Sequence, residues 1–216
     1  MPTGALVRLY RIQRRMSTVS LQACRQISEV YRLTRPVLKR VGRVELCGLV
    51  SDRAMRYAEE TEDPLLIAAA TWSLGHTMLS DDMPAGALDL AMKGSEALEP
   101  LLPDGTPEQF SLYGGLLLVA ALASARTGDP WRARELLGGR AHKAALRVGE
   151  GYNYHRMVFG PTNVGIHKVT VEHEQGEISE ALRLADQVDI SFSHFLIDVM
   201  NEGNAAQCVP LIHLST

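Results

Sequence analysis

Three times in this chain, a side chain able to cap a helix stands immediately before a proline. Asp63-Pro64 and Asp129-Pro130 each place a carboxylate at the cap and a proline at the first helical position. Thr106-Pro107-Glu108-Gln109 adds a capping box, because Gln109 follows Thr106 by three residues. A proline there sacrifices no internal hydrogen bond, since the first helical N–H groups have no partner within the helix. The pattern predicts helix starts near 64, 107 and 130, and Gly160-Pro161 predicts a fourth at 161. From Leu65 the apolar positions follow two seams, Leu65, Ala69, Trp72, His76, Leu79 and Leu66, Ala70, Leu74, Met78. A surface helix needs only one stripe, so two seams imply a helix packed on both sides.

A longer period emerges when the turns are aligned. Gly42, Asp82, Gly128 and Gly176 are each followed five residues later by a small residue, Cys47, Ala87, Ala133 and Ala181. Ser51, Ala91, Leu137 and Ala185 lie four residues beyond these, and Ala54, Gly94, Arg140 and Val188 a further three on. Residues at these spacings share one helix face, and small ones let a second helix lie close across a short turn. The four small positions are 40, 46 and 48 residues apart. That is longer than the roughly 34 residues of a tetratricopeptide unit. The turn signature still favours that type, with lengthened connections at 98–107 and 148–160. Leu74-Gly75 with Met78 and Ala87 also fits it. Strand signals are nearly absent, and aromatic residues make up only 6% of the chain. The expectation is an all-α, tetratricopeptide-like array of about four stacked antiparallel helix pairs in a right-handed superhelix.

Composition excludes several classes. With 46% hydrophobic and 22% charged residues the chain is globular rather than disordered. Its longest apolar run, 113–125, is interrupted by Gly114, Gly115 and Ser124 and falls short of the ~20 residues of a membrane span, so it reads as a buried helix. The first fifteen residues carry four arginines and no apolar core of a secretory signal. Cys24, Cys47 and Cys208 are too few and scattered for a disulfide framework or a zinc site, which points to a reducing, cytoplasmic setting. Charge is strongly uneven. Residues 1–43 hold ten basic residues against one acid, Glu29, whereas the remaining 173 hold twelve against twenty-four. The arginines interleave with apolar residues at helical spacing and read as a solvated helix face. Pro36 stands where a DNA-recognition helix would have to continue, so direct DNA contact is not expected. Residues 1–17 form a basic N-terminal segment and 18–216 the helical domain.

The segment from Gly151 to Glu172 contains Asn153-Tyr154-His155, Phe159-Gly160-Pro161-Thr162-Asn163-Val164 and His167. It resembles a block in the tetratricopeptide-like C-terminal regions of actinobacterial helix-turn-helix transcriptional regulators. Val30-Tyr31, Leu38-Lys39-Arg40-Val41-Gly42, Ser51-Asp52-Arg53-Ala54 with Asp63-Pro64-Leu65, and Arg126-Thr127-Gly128-Asp129 resemble the same region. The likeness covers roughly residues 28–190. It implies a regulatory or ligand-sensing domain linked to transcription. Such regulators begin with a DNA-binding domain for which this chain carries no motif, so the resemblance implies a stand-alone regulatory domain or a truncated relative.

No catalytic constellation is visible: there is no His-Glu-x-x-His, no Gly-rich loop ending in Lys-Ser/Thr, and no Gly-x-Ser-x-Gly. His167 and His173 are six apart and cannot share a helix face as metal ligands. His76 reads as a satisfied core histidine, Cys47 as an inert packing thiol, and Trp72 and Trp131 as packing residues. No catalytic residue, metal or cofactor is therefore expected. Asn163, His167, Thr170 and Glu174 follow i, i+4, i+7, i+11 and form one polar stripe on the helix after Pro161. On a first-of-pair helix such a stripe would line the concave surface, with Tyr154 in the preceding loop beside it. Asparagine can both donate to and accept from a peptide backbone. These five residues are the candidate ligand site, and a peptide or protein segment the expected partner. The alternative is a scaffold or homodimerisation module without a small ligand, using the apolar end at Leu211, Ile212 and Leu214.

Overall fold

The computed structural model describes residues 20–189. Among them every regular element is helical. In chain order these are α1 (Leu21–Arg40), α2 (Cys47–Glu59), α3 (Pro64–Ser80), α4 (Pro84–Leu98), α5 (Pro107–Arg126), α6, α7 (Pro161–Glu174) and α8 (Ile178–Ala185). Helix α6 is composite, α-helical over Pro130–Glu135, π-helical over Leu136–Ala141 and α-helical again over His142–Val148. Helix starts fall at 64, 107, 130 and 161 as expected. Asp63 Oδ1 accepts from the Leu65 N–H at 3.0 Å and Asp129 Oδ1 from the Arg132 N–H at 3.0 Å. Thr106 and Gln109 complete their box in both directions, at 3.3 and 2.8 Å.

The aligned turns share one geometry. Gly42, Asp82, Gly128 and Gly176 all adopt left-handed backbone, with φ of 75°, 55°, 84° and 77°. In each case the next N–H returns to the carbonyl five residues back: Arg43 to Leu38, Met83 to Met78, Asp129 to Ser124, Glu177 to Glu172, all within 2.8–2.9 Å. This bond defines a Schellman cap, which ends a helix and reverses the chain. Glycine reaches that conformation without a Cβ penalty, and aspartate is among the few others that tolerate it. Each cap joins a helical hairpin, α1–α2, α3–α4, α5–α6 and α7–α8, whose two helices pack together. Cys47, Ala87, Ala133 and Ala181 are all buried at these contacts. Burial pushes the Cys47 thiol up, in keeping with a packing role.

Packing also runs between hairpins. Helix α2 contacts α3, α4 contacts α5 and α6 contacts α7, while α1–α3, α3–α5 and α5–α7 touch on one side. Helix α5 occupies the centre, and all its residues from Phe110 to Ala125 are buried. It is the one helix among the described residues long and apolar enough to cross a membrane, and most of it lies inside the protein.

Three expectations are corrected. Trp131 is 78% exposed, with the Arg134 guanidinium over its ring at 5.8 Å from the ring centre. Arg32 and Arg35 are not solvated; they are 6% and 2% exposed. They continue the inward face of Cys24 and Ser28 on α1, and that helix passes through Pro36 as far as Arg40. The apolar C-terminal residues Leu211, Ile212 and Leu214, and the basic segment 1–17, lie outside the described residues.

The close contact at Ala133 has a measurable consequence. Ala133→Leu inserts three carbons where no space is exposed and should cost about 1–3 kcal/mol. Urea denaturation reads it directly, and an unchanged midpoint would contradict the assigned contact.

Candidate functional site

Helix α7 carries the polar stripe, and the structure closes it off. The Asn163 Nδ2 donates to the carbonyls of Val158 and Met157 at 3.0 and 3.4 Å, so it holds the preceding loop rather than facing outward. His167 Nδ1 donates to the Asn163 carbonyl at 2.9 Å, and Thr170 Oγ1 to the Ile166 carbonyl at 2.9 Å. All three residues are buried. Glu174, partly buried, receives the Arg126 guanidinium at 2.7 Å. Tyr154 stacks on Tyr152, 5.8 Å between ring centres. The four stripe residues do share a helix face, but they do not form an open polar surface.

The reason lies in the loop 149–160, which folds back onto α5. Phe159 and Met157 are buried against Gly114 and Gly115. A methyl group on either glycine would stand 1.9 Å from the Phe159 ring or 2.0 Å from the Met157 terminus, so the two glycines form a notch that receives the loop. The same loop places His155, Arg156 and Val158 in left-handed backbone, with φ of 51°, 61° and 46°. Non-glycine residues in that region are strained and persist only where surroundings enforce them. Here the enforcement is visible. His155 Nε2 bonds Glu108 of α5 at 2.7 Å, and its Nδ1 lies 3.8 Å from Glu29 of α1. The Val158 N–H donates to Asn153 Oδ1 at 3.3 Å, and Glu150 accepts from the Thr162 N–H at 2.7 Å. The His155 contact holds the Glu29 carboxyl below its ordinary range, against the opposing effect of burial and with Arg32 adding to it.

Between α1, α3 and this strained loop lies a hollow of about 300 Å³. Its basic wall is Arg32, Arg35, Arg40, His155 and Arg156; its apolar wall is Leu33, Pro36, Val37 and Trp72; Ser73 completes it. No lining residue is acidic. Arg32 is anchored at both terminal nitrogens: Nη1 donates to the Ala69 carbonyl at 3.1 Å, and Nη2 to the His155 carbonyl at 3.0 Å and to Glu29 at 3.4 Å. Its Nε is buried without a partner, and so is the Ser73 hydroxyl. Burial pulls the Arg32 guanidinium below its ordinary value, and Glu29 opposes that pull.

From the sequence, Trp72 reads as a packing residue, His155 as part of the block at 151–172, and the arginines of α1 as a solvated face. The available signal was the i, i+4, i+8, i+11 register of Cys24, Ser28, Arg32 and Arg35, which puts the two arginines on the face that packs.

His76 lies one turn beyond Trp72 on α3, its ring edge-on to the indole at 4.6 Å. Burial lowers its pKa well below the ordinary histidine value, with the charges of Arg35, His167, Lys39 and Arg126 acting in the same direction. Burial also lowers His167 to about 4, although its bond to the Asn163 carbonyl partly opposes this. A histidine depressed on folding stays neutral in the native state while the unfolded chain takes up protons. Its stabilising contribution is therefore complete above pH ~6.5 and is lost as the pH falls toward 4. The shift of His167 corresponds to roughly 3 kcal/mol across that window. Urea titrations between pH 7 and pH 4 should show the loss, and His167→Gln should reduce it to the part that His76 contributes. A slope unchanged by that substitution would rule His167 out as the cause. Comparison of the chain with protein-family models, with curated proteins and with solved structures returned no match.

Proposed function

We propose that the chain is a regulatory binding domain of tetratricopeptide-like construction, with its four hairpins wound as a right-handed array, and that it captures an anionic partner rather than catalysing a reaction. The observation that carries the reading is the hollow between α1 and α3, where four arginines and a histidine converge without an acidic lining residue. Low-dielectric walls strengthen the field of such a cluster. Support for the repeat construction comes from the four Schellman-capped hairpins and the side-by-side contacts of α1, α3, α5 and α7. In such arrays the first helix of each pair lines the groove that receives a partner, and α1 and α3 supply most of the hollow. The resemblance to regulator C-terminal regions suggests a role linked to transcription, with DNA contacted by another domain or chain. An acidic segment of a protein is the partner that best fits a rigid basic groove with one apolar wall.

A labelled oligoglutamate peptide tests this by fluorescence anisotropy at physiological ionic strength. It should bind, an oligolysine peptide of equal length should not, and the double substitution Arg40→Glu with Arg156→Glu should abolish binding while far-UV helicity is retained. Equal binding of both peptides, or none of either, would overturn the reading.

A scaffold role is favoured by a different feature. Val30 and Val37 on α1 and Val41 at its C-cap are all exposed, at i, i+7 and i+11. That spacing makes one apolar stripe, suited to packing against another helix.

A further inference from the structure

The hollow does not stand alone, because the apolar stripe of α1 runs along its edge. Val30, Val37 and Val41 are each more than half exposed, and Leu33, partly buried, falls between the first two. The four follow i, i+3, i+7, i+11, three turns of one helix face, on the side away from the buried Cys24, Ser28, Arg32 and Arg35. Leu33 and Val37 also line the hollow, where Trp72 of α3 extends the apolar surface inward. Arg40 and Arg156 line the same hollow and are both exposed. The surface is therefore apolar along its crest and basic along one flank. The one acid of α1, Glu29, is held by Arg32 and His155.

We propose that this crest and hollow are the docking surface for an acidic amphipathic helix of a partner protein, laid along α1 with its apolar side chains on the valines and its carboxylates toward Arg40 and Arg156. The proposal rests on the reading of the chain as an anion-binding domain and narrows the partner to a helix. Spacing decides the shape, since an apolar stripe of helical period is matched along its length by another helix. Charge decides the identity. A second copy of this chain would bring its own α1, with five basic residues and one acid, against Arg40 and Arg156. Residues 1–17 carry four arginines and no acid. Like charges oppose both of those occupants, and opposite charges favour an acidic one. A flat bilayer would meet the exposed valines without entering the hollow toward Trp72.

Fluorescence anisotropy of the full chain with three labelled peptides separates the chemistries. The first peptide has leucines at i, i+3, i+7 and i+11 and glutamates along one flank. The second has the same composition, scrambled so that no stripe remains, and the third has lysines in place of the glutamates. The first should bind about tenfold more tightly than the second, and the third not measurably. Val30→Ser combined with Val37→Ser should bring the first peptide down to the affinity of the second. The same variant should leave the second peptide, the far-UV helicity and the melting temperature unchanged. Leu146→Ser, at a comparably exposed apolar position on α6, should alter no affinity. Equal binding of the first two peptides, or no effect of the double valine substitution on the first, would overturn the proposal. Co-sedimentation with phosphatidylserine vesicles that the double variant loses, with no peptide bound, would give the surface to a bilayer. A dimer by light scattering that the same variant abolishes would give it to a second copy, and either result overturns the proposal. Oligoglutamate binding without preference for the patterned peptide would remove the helix site and leave the anion-binding reading standing; failure of every acidic peptide would remove both.

Discussion

Helix α5 is enclosed on every side, and the arrangement of the described chain depends on that enclosure. Burying one helix all round is favourable only if neighbours can approach it closely at each azimuth. Its sequence supplies this unequally. Val119 packs against Gly75 of α3 and Leu116 against Gly94 of α4, and Leu112, Leu117 and Leu122 are also buried, whereas Gly114 and Gly115 leave space open. The opening is what Phe159 and Met157 occupy, and their insertion draws the loop 149–160 across the helices. The loop takes left-handed backbone at 158, between these two anchors, and at 155 and 156, just before them. His155 and Arg156 then face α1, and the basic hollow exists. A pair of missing side chains in the core thus sets the position of charged groups at the surface.

The parts of this architecture legible in the sequence are those whose physics is local. A proline after Asp or Thr fixes a helix start through a handful of neighbouring atoms, and a glycine five residues before an alanine fixes a reversal through one bond. Asp82 stands where three glycines stand elsewhere, yet it makes the same turn, so the alignment survived a change of residue type. The candidate site was not legible in the same way. Arg32 and Arg35 have the spacing of a core face and the chemistry of a solvated one, and only tertiary contacts with Ala69 and the loop decide between them. The polar stripe on α7 fails as an open surface for the same reason: a continuous face on a helix says which residues look the same way, not what they look at. Trp131 carries the opposite lesson, a large apolar ring on the outward side of α6.

Buried polar groups tie the hairpins together with a directionality that apolar packing lacks. Glu172 accepts both Arg134 nitrogens at 2.6 and 2.8 Å, and Arg126 reaches both Glu174 and the Leu79 carbonyl. Ser51 and Thr77 share a hydrogen bond of 2.9 Å between α2 and α3. Breaking one partner of such a pair strands the other in a low dielectric, so they fix the registry of neighbouring helices more than they add to stability. His76 sits among these cations, where burial and the surrounding positive charge both disfavour a further proton; for His167 burial alone does so. The hollow and the histidine cluster share Arg35, which lines one and acts on the other.

The π-helical turn at Leu136–Ala141 divides α6 into two stretches with different phase. A π turn holds one more residue than an α turn, and such bulges commonly look like single-residue insertions absorbed without breaking a helix. The residue count between the third and fourth turns is therefore not a count of helical periods. Two segments of chain related by duplication would drift out of step there, so that a fixed-length comparison would align the first half of α6 and lose the second. The kinship of these hairpins, if they have one, is written in the places where the chain reverses, and a search for it that counts residues instead of turns would pass it by.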